Sequence, residues 1–228
     1  MNSALLQLLH LSDPTLPIGG FSHSAGLETY VQQGTIKDTA SATAFCMEML
    51  DKNLCYTDAA LAGLAYTATV DNDLAALIHL DDVCNAVKLP IEMRTASIKL
   101  GLRLRKIFQP HHDNATLNDY SKAVKEQHAV GHYCISFGIL AAMMGIDKRD
   151  AITGFYYNAA AGFVTNAVKL VPLSQQSGQG ILLQLIEAIP AMVEKSMAAD
   201  EAMIGICCTG FDISSMQHER LYSRLYMS

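Results

Sequence analysis

Side chains that could carry out catalysis are concentrated in the stretch LPIGGFSHSAGLE, at residues 16–28. A serine nucleophile of the hydrolase type stands in a G-x-S-x-G turn that follows a strand and precedes a helix. The segment GFSHS has Ser24 where the last glycine would stand, and a helical pattern precedes it. The stretch is therefore better interpreted as a structural corner, in which Pro17, Gly19 and Gly20 favour turns and a serine caps the following helix.

Two pairs of side chains have spacings that could suit a metal ion. His128 and His132 lie four residues apart on a predicted helix and could face one site. The glutamate of an H-E-x-x-H motif is missing from this segment. The second pair, Cys207 and Cys208, which are adjacent to each other, is only a weak signal for a soft metal. The six cysteines contain no C-x-x-C pair and are expected to be reduced and largely buried. A structural role is favoured for both pairs, and no metal site is predicted.

An enzymatic alternative stays open at this point. A helical enzyme could use Ser22 and His23 from the first stretch, or the pair of His128 and His132. Such an enzyme would show turnover by the isolated chain, and His23→Ala or His132→Ala would abolish it. Nucleotide chemistry is excluded more firmly, because neither G-x-x-x-x-G-K-[ST] nor G-x-G-x-x-G occurs in the sequence.

The composition limits the classes of function. The net charge is −6 and the pI about 5.7, which argues against the basic surface that nucleic-acid binding needs. Only 17% of the residues are charged, against about 25% in typical soluble domains, so part of the apolar surface is expected to contact another chain. The sequence shows no secretion signal and no apolar run long enough to span a bilayer. We therefore expect a cytoplasmic oligomer that binds neither nucleic acid nor membrane.

The elements that position these residues are predicted to be helices. Apolar residues recur with the 3.6-residue period of helices, and the alternation typical of strands is nearly absent. The pattern predicts an all-α protein, a single-domain bundle of about eight to ten helices spanning residues 1–228. Helices after the first are expected to begin at Ser22 or Ser24, at Asp38, at Thr57 or Asp58, at Asn72 or Asp73, and at Pro90. Further helices are expected near 119–145, 148–168 and 174–199.

The carboxyl-terminal tail, residues 212–228, has the pattern of an amphipathic helix. Three pairs of similar residues are each four positions apart: Leu221 and Leu225, Tyr222 and Tyr226, and Arg220 and Arg224. A short helix at a chain end is marginal in water unless something packs against it, and Tyr and Arg often anchor interfaces. We therefore predict that the tail binds a partner.

Three segments of the chain occur together in an order that is specific to one family: LPIGGFSHSAGLE, VKLVPLSQQSGQ and HERLYSRLYMS. On these segments the chain resembles the urease accessory protein UreF over essentially its whole length. The resemblance implies a non-enzymatic helical homodimer that binds the accessory protein UreD, also called UreH, and recruits the GTPase UreG. The complex is expected to help deliver nickel to apo-urease, with nickel and GTP acting through the partners rather than as cofactors of this chain.

The resemblance also assigns expected roles to residues. Contacts to UreD are expected from the tail, at His218, Glu219, Tyr222, Ser223, Arg224 and Leu225, joined by Arg220 and Tyr226 from the amphipathic pattern. Contacts to the GTPase are expected at Lys169, Pro172, Gln175 and Gln176. The opening structural motif comprises Pro17, Gly19, Gly20, Ser22, Gly26 and Glu28. Met227 stands where the family commonly has a basic residue.

Overall fold

The computed structural model describes residues 3–20, 23–24, 26–206, 208–222 and 224–227. All regular structure in these ranges is helical, which confirms the all-α prediction. The helices are α1 (Ser3–Leu11), α2 (Leu27–Gln32), α3 (Thr39–Glu48), α4 (Asp58–Val70), α5 (Leu74–Val87), α6 (Ile91–Phe108), α7 (Ala115–Lys125), α8 (Tyr133–Met143), α9 (Lys148–Leu170), α10 (Gln175–Met197) and α11 (Thr209–His218). A π-helical turn, Met49–Leu54, follows α3 directly. Within the described ranges, no helix has the length and apolar character that crossing a membrane requires.

The core is built around α8, in which residues 134–141 are all buried. This helix is almost entirely apolar, so it needs neighbours on every side. Helix α4 packs most closely against it, because both helices carry small residues at the contact: a Cβ on Gly138 would collide with the backbone carbonyl of Ala62. Helices α6 and α9 also contact α8, and α9 packs along α10.

Two predicted helix starts are confirmed by side-chain caps. Asp38 accepts a hydrogen bond from the backbone N–H of Ser41 at 2.8 Å, and Asp73 caps α5 in the same way. The predicted serine cap of α2 is wrong, because this helix begins at Leu27 and its N-cap residue is Gly26, with a φ of 77°. A left-handed φ of this kind favours glycine over serine.

The predicted helix near 119–145 is wrong in its middle, where the structure has a loop at residues 126–132 between α7 and α8. Gln127 and Gly131 in this loop have left-handed φ values of 63° and 95°. Left-handed backbone cannot continue a right-handed helix. The 3.6-residue pattern therefore runs across two helices that the backbone separates.

A buried carboxylate holds this loop in place. One oxygen of Asp81, on α5, accepts the backbone N–H groups of Val130 and Gly131 at 2.5 and 2.6 Å. The other oxygen accepts the N–H group of His132 at 2.9 Å. The buried guanidinium of Arg105, on α6, donates to the carbonyl of Gly131 at 3.1 Å. Buried backbone groups need partners, and here side chains of α5 and α6 supply them.

Candidate functional site

The tail does not continue as a helix. Helix α11 ends at His218, and the described residues after it, 219–222 and 224–227, form turns and bends, so the expected amphipathic helix is wrong there. Backbone N–H groups of the tail bind a side chain instead. The N–H groups of Leu225 and Tyr226 donate to the two carboxylate oxygens of Glu28, at 2.8 and 3.1 Å, in place of helical carbonyls.

Four side chains hold the tail against the body of the protein, and we call them the carboxylate clamp: Glu28 of α2, Glu92 of α6, His218 and Arg224. The ring of His218 is fully buried, with Nδ1 2.6 Å from Glu92 and Nε2 3.2 Å from Glu28. The guanidinium of Arg224 donates to the other oxygen of Glu92 at 2.8 Å. Each ring nitrogen of His218 therefore faces a carboxyl group, and the guanidinium of Arg224 pairs with Glu92, so the clamp joins two acidic side chains to a histidine and an arginine.

The end of the opening stretch, at the start of α2, is the surface on which α11 packs beside this clamp. A Cβ on Gly26 would lie only 2.7 Å from Oγ of Ser215 and 3.1 Å from the ring of Phe211, both on α11. The missing side chain therefore lets α11 pack directly on the start of α2. That approach brings His218 to Glu28, which is 2% exposed.

The other residues of the opening motif also have structural positions. Gly19 has a left-handed φ of 89°, and the space of its missing Cβ is filled by the guanidinium of Arg103. Pro17 and Gly20 are exposed, and Ser22 lies outside the described residues.

Burial lowers the pKa of His23, and the positive charges of Lys99 and Arg103 lower it further. The serine and histidine alternative stays an untested prediction.

Several side chains of the tail that face solvent are apolar or aromatic, beside polar and charged ones. Tyr222 is fully exposed, and Leu225 is 81% exposed. The other exposed apolar residues of the segment are Ile213, Met216 and Met227. Of the remaining predicted contact residues, Glu219 and Arg220 are exposed, Tyr226 is half-buried, and Ser223 lies outside the described residues. The clamp thus fixes the backbone of the tail while its apolar side chains stay accessible, which is typical of an interaction surface.

Replacing Glu28 by alanine is expected to release the tail. The substitution removes the acceptor of the Leu225 and Tyr226 N–H groups and one partner of His218. Hydrogen bonds to charged groups contribute about 1.5–3 kcal/mol, so the two amides should exchange with solvent about tenfold faster or more. Hydrogen–deuterium exchange followed by mass spectrometry measures this rate.

The matched control for this prediction is Glu126→Ala, which removes the same charge from an exposed position at the end of α7. It should leave exchange in the tail unchanged. Equal protection of the tail amides in Glu28→Ala and in the parent chain would contradict the clamp.

The residues predicted to contact a GTPase lie together at the turn between α9 and α10. Lys169 is in the last turn of α9, and Pro172, Gln175 and Gln176 follow it; all four are exposed. The side chain of Ser174 caps α10 and fixes the direction in which that helix starts. A hollow of about 90 Å³ lies between the two helices, with Lys169 and Gln175 in its wall. The structure thus places the four residues on one corner, and their contact with a GTPase stays a prediction.

The structure separates the two histidines that were expected to face one site. The side chain of His128 is 72% exposed and lies 3.8 Å from Glu126. His132 is fully buried, and its Nδ1 lies 3.1 Å from the hydroxyl of Ser97. Both histidines belong to the loop at residues 126–132, so the helical spacing on which their pairing depended does not exist.

The cysteines are mostly in the interior. Cys46, Cys55, Cys84 and Cys134 are buried and free of disulfide bonds, and Cys208 is half-buried. Cys207 lies outside the described residues, so the adjacent pair is not tested. In the described part of the chain, no group of three or more His, Cys, Asp or Glu side chains is arranged to hold a metal ion.

Sequence reasoning missed a buried ion pair. Nζ of Lys88, at the end of α5, lies 2.6 Å from Oδ2 of Asp58, and the two side chains are largely buried, with exposed fractions of 11% and 14%. Burial alone would raise the pKa of Asp58, but the ammonium of Lys88 holds it below the usual value. The carboxylate in turn raises the pKa of Lys88 against the effect of burial. The pair forms part of the wall of a cavity of about 260 Å³ that is bounded mainly by α6 and α9.

Of the two buried acids, Asp58 and Asp81, only Asp81 has a signal in the sequence from which its burial could have been predicted. Asp81 occupies the same helical stripe as Leu77 and Cys84, at spacings of four and three residues. An acid on an apolar stripe is buried with its partners, which would have predicted a structural role. Asp58 carries no such signal, because an acid in the first turn of a helix is common on exposed surfaces.

Comparison with known proteins gives one consistent result. The UreF family profile matches residues 36–186 of the chain. The urease accessory protein UreF of Actinobacillus pleuropneumoniae serotype 3 (strain JL03) is 47% identical over 221 residues, which cover 97% of each chain. The protein of the same name from Haemophilus influenzae (strain PittGG) is 46% identical, over 97% of this chain and 94% of its own. That of Sporosarcina pasteurii is 34% identical over 202 residues, which are 89% of this chain and 100% of its own.

Proposed function

The chain belongs to the UreF family of urease accessory proteins, and on this basis we propose that it is a cytoplasmic, non-enzymatic component of urease maturation. It binds an accessory protein of the UreD (UreH) kind and recruits the GTPase UreG to that complex. The assembly delivers nickel to apo-urease in a GTP-dependent step, in which nickel and GTP act through the partners. The chain works as a homodimer.

The observation that carries this proposal is the exposed apolar surface of the clamped tail. Tyr222 and Leu225 project into solvent from a backbone that Glu28 holds in place. Apolar and aromatic side chains of this kind anchor interfaces. A backbone that is already ordered loses less conformational entropy on binding than a free chain end. The tail is therefore suited to bind UreD.

A second surface supports the recruitment of a GTPase. Lys169 and the three residues that accompany it are exposed on the corner between α9 and α10, whereas the tail is held by α2 and α6. The two surfaces share no residue. One chain can thus hold UreD at the tail and UreG at the corner in the same complex.

The proposal is tested with the double variant Tyr222→Ser and Leu225→Ser. Removing two exposed interface anchors is expected to weaken UreD binding about tenfold or more, since each such anchor contributes on the order of 1–2 kcal/mol. The thermal unfolding midpoint should stay unchanged, because exposed substitutions affect stability little. Calorimetric titration of the purified full chain with UreD measures affinity, and co-elution with light scattering measures stoichiometry.

Two single variants serve as controls. Val70→Ser removes an apolar side chain that is 59% exposed at the end of α4 and should leave UreD binding unchanged. Lys169→Ala should keep UreD binding and lose co-elution of UreG in the presence of GTP. Full UreD binding by the folded double variant would remove the tail from the interface. Absence of binding by the parent chain would overturn the proposed function.

A further inference from the structure

Two buried thiols are in contact where α5 packs against α8. Sγ of Cys84 lies 3.5 Å from Sγ of Cys134, and both side chains are fully buried. This distance is that of a hydrogen bond in which one thiol donates and the other sulfur accepts. Neither residue belongs to the tail or to the corner between α9 and α10, so partner binding at those surfaces does not account for the pair.

The groups around the pair favour the thiolate form of Cys84. Burial alone would raise the pKa of Cys84, but the S–H group of Cys134, the ring of His132 and the ammonium of Lys88 lower it below its usual value. Burial and the neighbouring sulfur raise the pKa of Cys134. The two pKa shifts are opposite in direction, and they favour the arrangement in which the thiol of Cys134 donates to the sulfur of Cys84. A thiolate is the nucleophilic form of cysteine.

A cavity lies close to this position. The cavity of about 260 Å³ has Lys88 and Tyr133 in its wall. Lys88 lies one helical turn after Cys84, and Tyr133 directly precedes Cys134 in the sequence. The ring of His132 lies beside Cys84, and its Nε2 atom is buried. A residue one helical turn from Cys84 and the residue before Cys134 thus line a space that can admit a molecule of the size of a peroxide.

We propose that Cys84 and Cys134 form a dithiol site that peroxide oxidises to a disulfide joining α5 to α8. The thiolate of Cys84 attacks one peroxide oxygen and the O–O bond breaks. The departing hydroxide takes the proton of Cys134 and becomes water, which leaves a sulfenic acid on Cys84 and a thiolate on Cys134. That thiolate attacks the sulfenic sulfur, the S–O bond breaks, and the second hydroxide takes a proton from solvent. Two thiols and one hydrogen peroxide become one disulfide and two waters.

The test treats the reduced full chain with hydrogen peroxide, denatures it, and blocks the remaining thiols with N-ethylmaleimide. Peptide mapping by mass spectrometry should find one cross-linked pair of peptides, joined through Cys84 and Cys134 and separated by dithiothreitol. Cys134→Ser should prevent the cross-link and leave on Cys84 a sulfenic acid that dimedone traps. Cys46→Ser is the matched control, because Cys46 is also buried but its burial raises the pKa to about 12. It should leave the cross-link unchanged.

The decisive measurement is made on the parent chain, so the proposal can be overturned even if a variant fails to fold. Complete alkylation of Cys84 and Cys134 at peroxide doses that oxidise the half-buried Cys208 would overturn it. A disulfide that maps to other cysteines would also overturn it. The result is independent of UreD and UreG binding, and the two proposals therefore stand or fall separately.

Discussion

Replacing Asp81 by asparagine is expected to lower the free energy of unfolding by about 3 kcal/mol. The carboxylate of Asp81 accepts three backbone N–H groups, from residues 130, 131 and 132. The asparagine side chain has one acceptor oxygen, and its NH₂ group would face an N–H donor of the loop. At least one buried donor would then lack a partner, and the charge-assisted character of the remaining bonds would be lost. Urea unfolding followed by circular dichroism measures the change.

The neighbouring residue provides the control for this prediction. Asp82→Asn makes the same substitution at an exposed position of the same helix, and it should change the free energy of unfolding by no more than about 0.5 kcal/mol. Limited proteolysis adds a local readout, since cleavage within residues 126–132 should rise only in Asp81→Asn. Equal stability of the two variants would show that the loop does not depend on this carboxylate.

Replacing Lys88 by methionine is expected to destabilise the protein by about 3–5 kcal/mol at pH 7. The substitution keeps much of the volume of the side chain but leaves the carboxylate of Asp58 buried without its cation. A buried charge without a partner is strongly unfavourable. Combining Lys88→Met with Asp58→Leu should recover most of the lost stability, because a buried ion pair and an apolar pair differ little in net contribution.

The dependence of this effect on pH follows from the two pKa shifts. The pKa of Asp58 is lowered, so its contribution is present above the unfolded value of about 3.9 and is lost as the pH falls through the folded value. The pKa of Lys88 is raised, so its contribution is present below about 10.4 and is lost as the pH rises through the folded value. The pair therefore stabilises the parent chain between about pH 4 and pH 10.

Without Lys88, burial raises the pKa of Asp58 in the folded state, so the variant folds with this group protonated at low pH. Its deficit relative to the parent chain should be smaller near pH 4 than at pH 7 and should grow between these two values. Lys52→Met is the control, since Lys52 is 51% exposed and pairs with Asp51 at the surface; its effect should stay below about 1 kcal/mol at every pH. A deficit for Lys88→Met that does not vary with pH would contradict the buried pair.

Features of the fold that depend only on residues close together in the sequence could be predicted from it. The apolar period of 3.6 residues predicts helices because an amphipathic helix must bury one face. The caps Asp38 and Asp73 each bind a backbone N–H group three residues away, so their contacts are contained in the local sequence. The start of α2 was missed because Gly26 is required by the approach of α11, more than 180 residues away in the sequence.

The position of the candidate site could be predicted only in part. The spacing of Tyr222, Leu225 and the two arginines indicated a partner-binding tail, and the structure shows the apolar members of this set exposed. The helical conformation predicted for them is wrong, because no local pattern shows that Glu28 accepts their backbone N–H groups. His218 was singled out by family resemblance, and its burial between two carboxylates was not foreseen.

The sequence by itself determined the all-α class, the main caps and membership of the UreF family, since these depend on residue types within a few positions or on the order of specific segments. Only the tertiary structure decided where the backbone leaves the helical pattern. Asp81 reaches Gly131 across 50 residues, and Glu28 reaches Leu225 across 197. A buried carboxylate offers backbone N–H groups an acceptor that competes with helical carbonyls, and only the folded chain brings that acceptor to them.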